Sequence, residues 1–254
     1  MQKPYIMVAP TGARRGKSDH PKLPITLKEI LQTAEACFLA GAHALHLHVR
    51  QADGVHSLDS GLYKEALAEM ALYLPEMDVQ ITTESAGIFT VEDQLACLRA
   101  VSPSWASVSV REVAQAPELA NELYQVCFDN GTIVQHILYD VDDMNLLEEW
   151  QDKGIVPASE NSVIFVLGRY TDGQVSQPSD LDPFLQAMEI TGRANRRWMV
   201  CAFGPNEHLC LAAAAKKGGD VRVGFENSLL SPDGTIHKDN ATSVGLLKTR
   251  FLAI

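Results

Sequence analysis

Basic residues are in short supply. The chain has 21 Lys and Arg against 32 Asp and Glu, a formal net charge of -11, and that sign argues against a nucleic-acid surface. No apolar run reaches the roughly 20 residues needed to cross a bilayer. Met1-Gln-Lys-Pro4 leads straight into a short apolar segment without the pattern of a secretory leader. These absences lead us to expect a cytoplasmic protein with neither a membrane nor a nucleic acid as partner. The five cysteines, Cys37, Cys97, Cys127, Cys201 and Cys210, include no Cys-x-x-Cys pair. Three of them fall in helix-like apolar stretches, so they read as reduced, packed thiols rather than a disulfide framework. No Gly-x-Gly-x-x-Gly, Walker or Gly-x-Ser-x-Gly element occurs, which argues against nicotinamide oxidoreductases, nucleotide hydrolases and serine esterases. No linker-like stretch divides the 254 residues, 46% of them hydrophobic, so one domain over residues 1–254 with a large core is expected.

What is present is a regular alternation of strand-like and helix-like segments. Strands are expected over 5–9, 43–49, 78–83, 105–110, 132–138, 161–167, 197–203 and 220–225. Helices are expected over 26–40, 60–74, 91–100, 115–130, 141–152, 180–190, 205–217 and 239–252. Thr26-Leu-Lys-Glu29 reads as a capping box opening the first helix, and Gly41 as its stop. Eight strand–helix units in about 250 residues predict a (β/α)₈ TIM barrel; a doubly wound open sheet shares the alternation. Both architectures place ligands at the carboxyl ends of the strands.

The unusual residues gather at those ends. A strand through Ala44-Leu-His-Leu-His-Val-Arg50 carries His46, His48 and Arg50 on one face. The last strand puts Arg222, Gly224 and Glu226 together, the third Gln80, Thr82 and Glu84, and the fourth Ser107, Ser109 and Arg111. Charges in a barrel mouth cost several kcal/mol unless paired, so Arg50, Glu84, Arg222 and Glu226 require one another, a metal or a ligand. His46, His48 and Glu226 offer two imidazoles and a carboxylate, the composition of a catalytic zinc set with an open position. The same donors suit iron or manganese, so another divalent transition metal stays open. Of the other histidines, His136 is the strongest candidate for chemistry.

Several of these segments together carry a family resemblance. Thr11-Gly-Ala13, Pro24-Ile-Thr26, His46-Leu-His-Val-Arg50, Thr82-Thr83, Phe165-Val-Leu-Gly168 and Gly218-Gly-Asp-Val-Arg-Val-Gly-Phe-Glu226 resemble the β-keto acid cleavage enzymes, a family that includes 3-keto-5-aminohexanoate cleavage enzyme. The resemblance implies a zinc-dependent (β/α)₈ barrel that exchanges the acyl portion of a β-keto acid with acetyl-CoA, giving acetoacetate and a new CoA thioester. It implies His46, His48 and Glu226 as zinc ligands, Thr82 as a substrate-side hydroxyl, Arg222 as the cation at the reacting carbonyl, and a homodimer or homotetramer.

The departures from the family pattern are equally specific. Asn227 stands where the family has an aspartate acting as a base, and an amide cannot take that role. Arg14 follows Thr-Gly-Ala where the aminohexanoate enzyme is acidic, and Glu84-Ser85 replaces Gly-Gly. The fourth strand ends in Ser109-Val-Arg-Glu112, and Gln135-His136 replaces an acidic stretch. Arg14, Arg50, Ser109, Arg111 and Asn227 are therefore the expected substrate contacts. Three readings follow from Asn227. In the first, Glu84 has become the base of a cleavage enzyme with a different substrate. In the second, the chain is a metal-dependent lyase or hydrolase acting without CoA on another anion, clamped by Arg14, Arg50, Arg111 and Arg222. In the third, it is a metal-loaded binding protein.

Overall fold

The computed structural model describes residues 3–171, 173, 175–231 and 233–252. Eight parallel strands close into a barrel. In chain order they are β1 (Ile6–Val8), β2 (Ala44–Leu47), β5 (Asp78–Thr82), β6 (Trp105–Ser109), β7 (Ile133–Leu138), β8 (Ser162–Leu167), β9 (Arg197–Ala202) and β10 (Asp220–Val223). Closure is made by β1, which pairs with β10 through Met7 and Arg222 and with β2 through Met7 and Ala44. The barrel is thereby decided over the open sheet.

Helices α1 (Leu27–Ala40), α2 (Ser60–Tyr73), α3 (Val91–Val101), α5 (Pro117–Asp129), α6 (Val141–Asp152), α7 (Asp182–Ile190), α8 (Glu207–Lys216) and α9 (Asn240–Leu252) cover the outside. The expected cap of α1 forms in both directions between Thr26 and Glu29, and Gly41 ends the helix at φ 113°. Two cores result. Outward-facing strand residues such as Leu45, Ile81, Val108 and Phe165 pack on the helices. Met7, Ile137, Ile164, Val166, Met199 and Phe203 fill part of the lumen. All five cysteines are free and buried. Among the described residues no helix is long and apolar enough to cross a membrane.

Three boundaries differ from the expected ones, and each matters to the site. The strand expected over 43–49 is interrupted at His48: β2 stops at Leu47, and Val49–Arg50 (β3) turns into an antiparallel pair with His56–Ser57 (β4). His46, His48 and Arg50 therefore do not share one flat strand face. The last strand ends at Val223, because Gly224 at φ 142° bends the chain inward. A Cβ at that position would lie 2.5 Å from the Ala9 carbonyl oxygen. The helix expected over 115–130 is preceded by a separate turn, α4 (Val110–Val113), and starts at Pro117, which fits a helix N-terminus because it has no N–H to satisfy.

Candidate metal centre and active site

The break after Leu47 and the bend at Gly224 bring three side chains to one point. His46 Nε2 and His48 Nε2 are 3.2 Å apart. Glu226 Oε2 is 3.6 Å from the first and 3.4 Å from the second. Ligands of a tetrahedral zinc, each about 2.0–2.1 Å from the ion, are separated by about 3.3–3.4 Å, and the triangle has those dimensions. Two further observations fit a cation. Glu226 Oε2 is buried with no hydrogen-bond partner among the described residues. His46 Nδ1 lies 2.7 Å from Gln80 Oε1, whose own amide nitrogen donates to Gln135 Oε1. Gln80 thus presents an acceptor, His46 keeps its proton on Nδ1, and the Nε2 lone pair faces the triangle. The donor set fits zinc, and equally iron or manganese.

Charge surrounds the triangle. Arg222, 3% exposed, places Nη2 3.1 Å from Glu226 Oε1 and Nη1 3.1 Å from His46 Nε2. Burial would push the Glu226 carboxyl up, but the electrostatics of the site, led by the Arg222 guanidinium, hold the group well below the usual carboxylate range. Burial also dominates at His46, and with the Arg222 charge it keeps the imidazole neutral, the form that ligates. Gly12, at φ 69°, packs directly on Glu226: a Cβ there would lie 2.6 Å from Glu226 Cγ. The Thr-Gly-Ala turn is thus shaped around the carboxylate.

The remaining expected site residues divide. Glu84 lies in the loop after β5, its Oε2 4.0 Å from His48 Nε2, and its backbone N–H donates to Thr82 Oγ1 at 3.1 Å. Thr82, Glu84, His46, Arg222 and Glu226 line one small cavity with Tyr139, Ile137, Val166 and Phe203. An adjoining cleft of about 110 Å³ runs outward past Arg14 and Arg15, with Glu84, Arg169 and Glu226 in its walls. Among the other expected contacts, Arg50, Arg111 and Asn227 are engaged by neighbouring groups. Arg50 donates to the carbonyls of Gly12, Arg15 and Gly54, tying the first loop to the β3–β4 hairpin. Arg111 grips Asp140 and Asp143 and lies over the Tyr139 ring. Ser109 is buried, its hydroxyl without a hydrogen-bond partner among the described residues. Asn227 is buried, its amide donating to Glu207 and to the Arg222 carbonyl. His136 faces the helices, its ring 5.4 Å from that of Tyr124, and burial drives its pKa down to about 3.

Arg169, Phe203 and Tyr139 were not singled out from the sequence. Each lies one or two residues past the end of its strand, so the rule that ligands sit at carboxyl ends could have found them.

Comparison with known proteins then decides the family. The family model described as beta-keto acid cleavage enzyme matches residues 3–250. The chain belongs to that family. It is 32% identical over 269 residues to the 3-oxoadipate:acetyl-CoA acetyltransferase of Cupriavidus necator, a match covering 96% of this chain and 87% of the relative. It is 26% identical over 254 residues to the 3-keto-5-aminohexanoate cleavage enzyme of Acetoanaerobium sticklandii, covering 96% and 90%. Among solved structures, apo ObcA superposes with a TM-score of 0.68 at 16% identity, covering 92% of this chain and 62% of the other. This chain thus spans about three fifths of the ObcA chain, and the likeness is one of fold. The protein is an enzyme of the β-keto acid cleavage type, a transferase, as its motifs led us to expect.

Proposed function

We propose that this β-keto acid cleavage enzyme uses acetyl-CoA as its acyl partner and holds zinc on His46, His48 and Glu226. The observation that carries the reading is the donor triangle at the barrel mouth, with Arg222 and Glu84 beside it. In the exchange, a proton leaves the methylene of R–CO–CH₂–COO⁻. The resulting carbanion attacks the acetyl thioester, and CoA thiolate departs. The thiolate then attacks the R–CO carbonyl, and the carbon–carbon bond breaks to give R–CO–S-CoA and a carbanion that takes back the proton to become acetoacetate. When bound, zinc would serve as the Lewis acid that polarises the ketone.

The chain's own residues have distinct tasks. Arg222 holds positive charge where oxyanion character develops, in a site too dry for water to screen it. Glu84 takes the methylene proton, the task that Asn227 cannot perform. Thr82 fixes the turn that presents Glu84 and offers its hydroxyl to the substrate. Arg14 and Arg15, in the outer cleft, face the anionic end of an incoming ligand. The wall formed by Ile137, Val166 and Phe203 supports an uncharged acyl tail R. The buried thiols support a reducing, cytoplasmic setting. A homodimer or homotetramer is proposed as the assembly, to be read by light scattering.

The test is metal analysis of the purified protein joined to an assay for acetoacetate from acetyl-CoA and a panel of β-keto acids. Zinc with acetoacetate, fastest for uncharged tails, supports the reading. Zinc without product, while Glu226→Ala loses the metal, retains the centre but favours a CoA-independent reaction or a binding role. Failure to bind any divalent metal overturns it.

A further inference from the structure

Next to the metal triangle lies a second buried carboxyl that the chemistry above leaves unused. Glu207 opens α8, and it is fully buried. Its Oε1 accepts the Gly224 N–H at 3.0 Å and the Asn227 amide at 3.3 Å. The same Asn227 Nδ2 donates to the Arg222 carbonyl at 3.2 Å. Facing two acceptors, that atom must be the nitrogen, so the orientation of the amide is set. Two polar atoms are then left without partners among the described residues: Glu207 Oε2 and Asn227 Oδ1. Both are acceptors if Glu207 is ionised, whereas one proton on the carboxyl gives Oε2 a hydrogen to donate.

The cationic groups around Glu207 offset its burial only in part. His208 Nε2 is 3.9 Å from Oε2 and already lies 2.9 Å from Ser243 Oγ. Arg15 and Arg222 act on the carboxyl through space. Burial outweighs them and pushes the Glu207 pKa up to about 8, so the neutral acid is the form present at pH 7.

We propose that Glu207 and Asn227 form a single acid–amide unit that sets the turn from Gly224 to Asn227 and thereby the position of the Glu226 ligand. This rests on the metal-centre reading. The unit joins the start of α8 to both sides of that turn, the Arg222 carbonyl before it and the Gly224 N–H within it. Glu207 and Asn227 are positioning residues: each acts through the backbone that carries Glu226. The pair also explains why residue 227 is an amide. An aspartate there would set two carboxyls against each other in a dry pocket, whereas one acid and one amide fit in either order.

The test is a cycle of Asn227→Asp, Glu207→Gln and the double variant. It is read by calorimetric titration of the metal-free protein with Zn²⁺ and by thermal unfolding without metal. Asn227→Asp is expected to weaken Zn²⁺ binding by about 10- to 100-fold, the usual effect of disturbing a ligand's support, and the double variant to recover to within about threefold of the native value. Unfolding is expected to show the same rescue. Should Asn227→Asp not fold, recovery of folding in the double variant is that rescue. A double variant no better than Asn227→Asp, or an Asn227→Asp protein that matches the native one, overturns the proposal. If the native protein binds no metal, the unfolding cycle still decides the pair; if it binds zinc without turnover, the rescue stands and the reaction reading fails.

Discussion

Two clusters of charge at the carboxyl end of the barrel each set one arginine among carboxylates and differ in how they close. Around Arg111, the guanidinium Nε donates to both Asp143 oxygens, at 3.0 and 2.9 Å, and Nη2 reaches Asp140. The rings of Tyr139 and Tyr170 lie side by side against it, at 4.6 and 5.3 Å. Asp143 in turn accepts the Tyr139 N–H at 2.7 Å, and Asp140 caps α6. Within this cluster each charge already has partners of the opposite sign. Around His46, His48, Glu84, Arg222 and Glu226, by contrast, one Glu226 oxygen and His48 Nδ1 lack hydrogen-bond partners among the described residues, and Glu84 lies 4.0 Å from His48. A closed cluster holds structure together, and an open one is completed by something from outside.

Removing Glu84 should have the largest effect on this contrast. Glu84→Gln keeps the shape and the backbone bond to Thr82 but cannot accept a proton. It is expected to lower kcat by about 10²- to 10⁴-fold with Zn²⁺ affinity unchanged in calorimetry. A variant retaining more than about a tenth of native turnover would mean that the proton goes elsewhere, outside the usual range for a general base. Next comes Arg111→Met, which opens the closed cluster. It leaves Asp143, a buried carboxylate, without its cation, and is expected to cost about 1–3 kcal/mol in denaturant unfolding while Zn²⁺ affinity holds. An increase in KM with no loss of stability would instead make Arg111 a substrate clamp and erase the contrast.

The same distinction separates what could be read in the sequence from what could not. The barrel followed from periodicity, because strand faces repeat every two residues and helix faces every three to four. The candidate metal donors were visible because His46, His48 and Glu226 are polar where apolar residues belong, and these three do come together in the fold. Missed were the features that depend on how the backbone bends. The interruption at His48 and the inward turn at Gly224 bring the donors together, yet alternation alone places His46, His48 and Arg50 on one continuous face. Arg50 and Arg111 looked like free cations because their partners, the carbonyls of Gly12 and Gly54 and the carboxylates of Asp140 and Asp143, come from other loops. Glu207 was silent for a related reason: it sits at an ordinary helix start, and its significance appears only where Gly224 and Asn227 fold back onto it.

The smallest closed set lies at the far end of the first loop and bears on the same contrast through pH. Glu29 Oε2 accepts from the Ile25 and Thr26 N–H groups, at 2.9 and 3.1 Å, and Oε1 accepts from Lys17 Nζ at 2.6 Å. Partial burial raises its pKa, but Lys17 and the two amides outweigh that and bring it down to about 2, against about 4.3 in an unfolded chain. A carboxyl depressed in the folded state stabilises the protein above its unfolded pKa, and that contribution fades as pH falls from about 4 to about 2. Glu29→Gln should therefore cost a few tenths to about 1 kcal/mol at neutral pH, modest because the pair is exposed to solvent. The gap between its thermal midpoint and the native value should shrink steadily as pH falls from about 4 to about 2. A gap that persists at pH 2 would show that the box works through the shape of Glu29 rather than its charge, so that closure here is a matter of hydrogen bonds and not of paired ions.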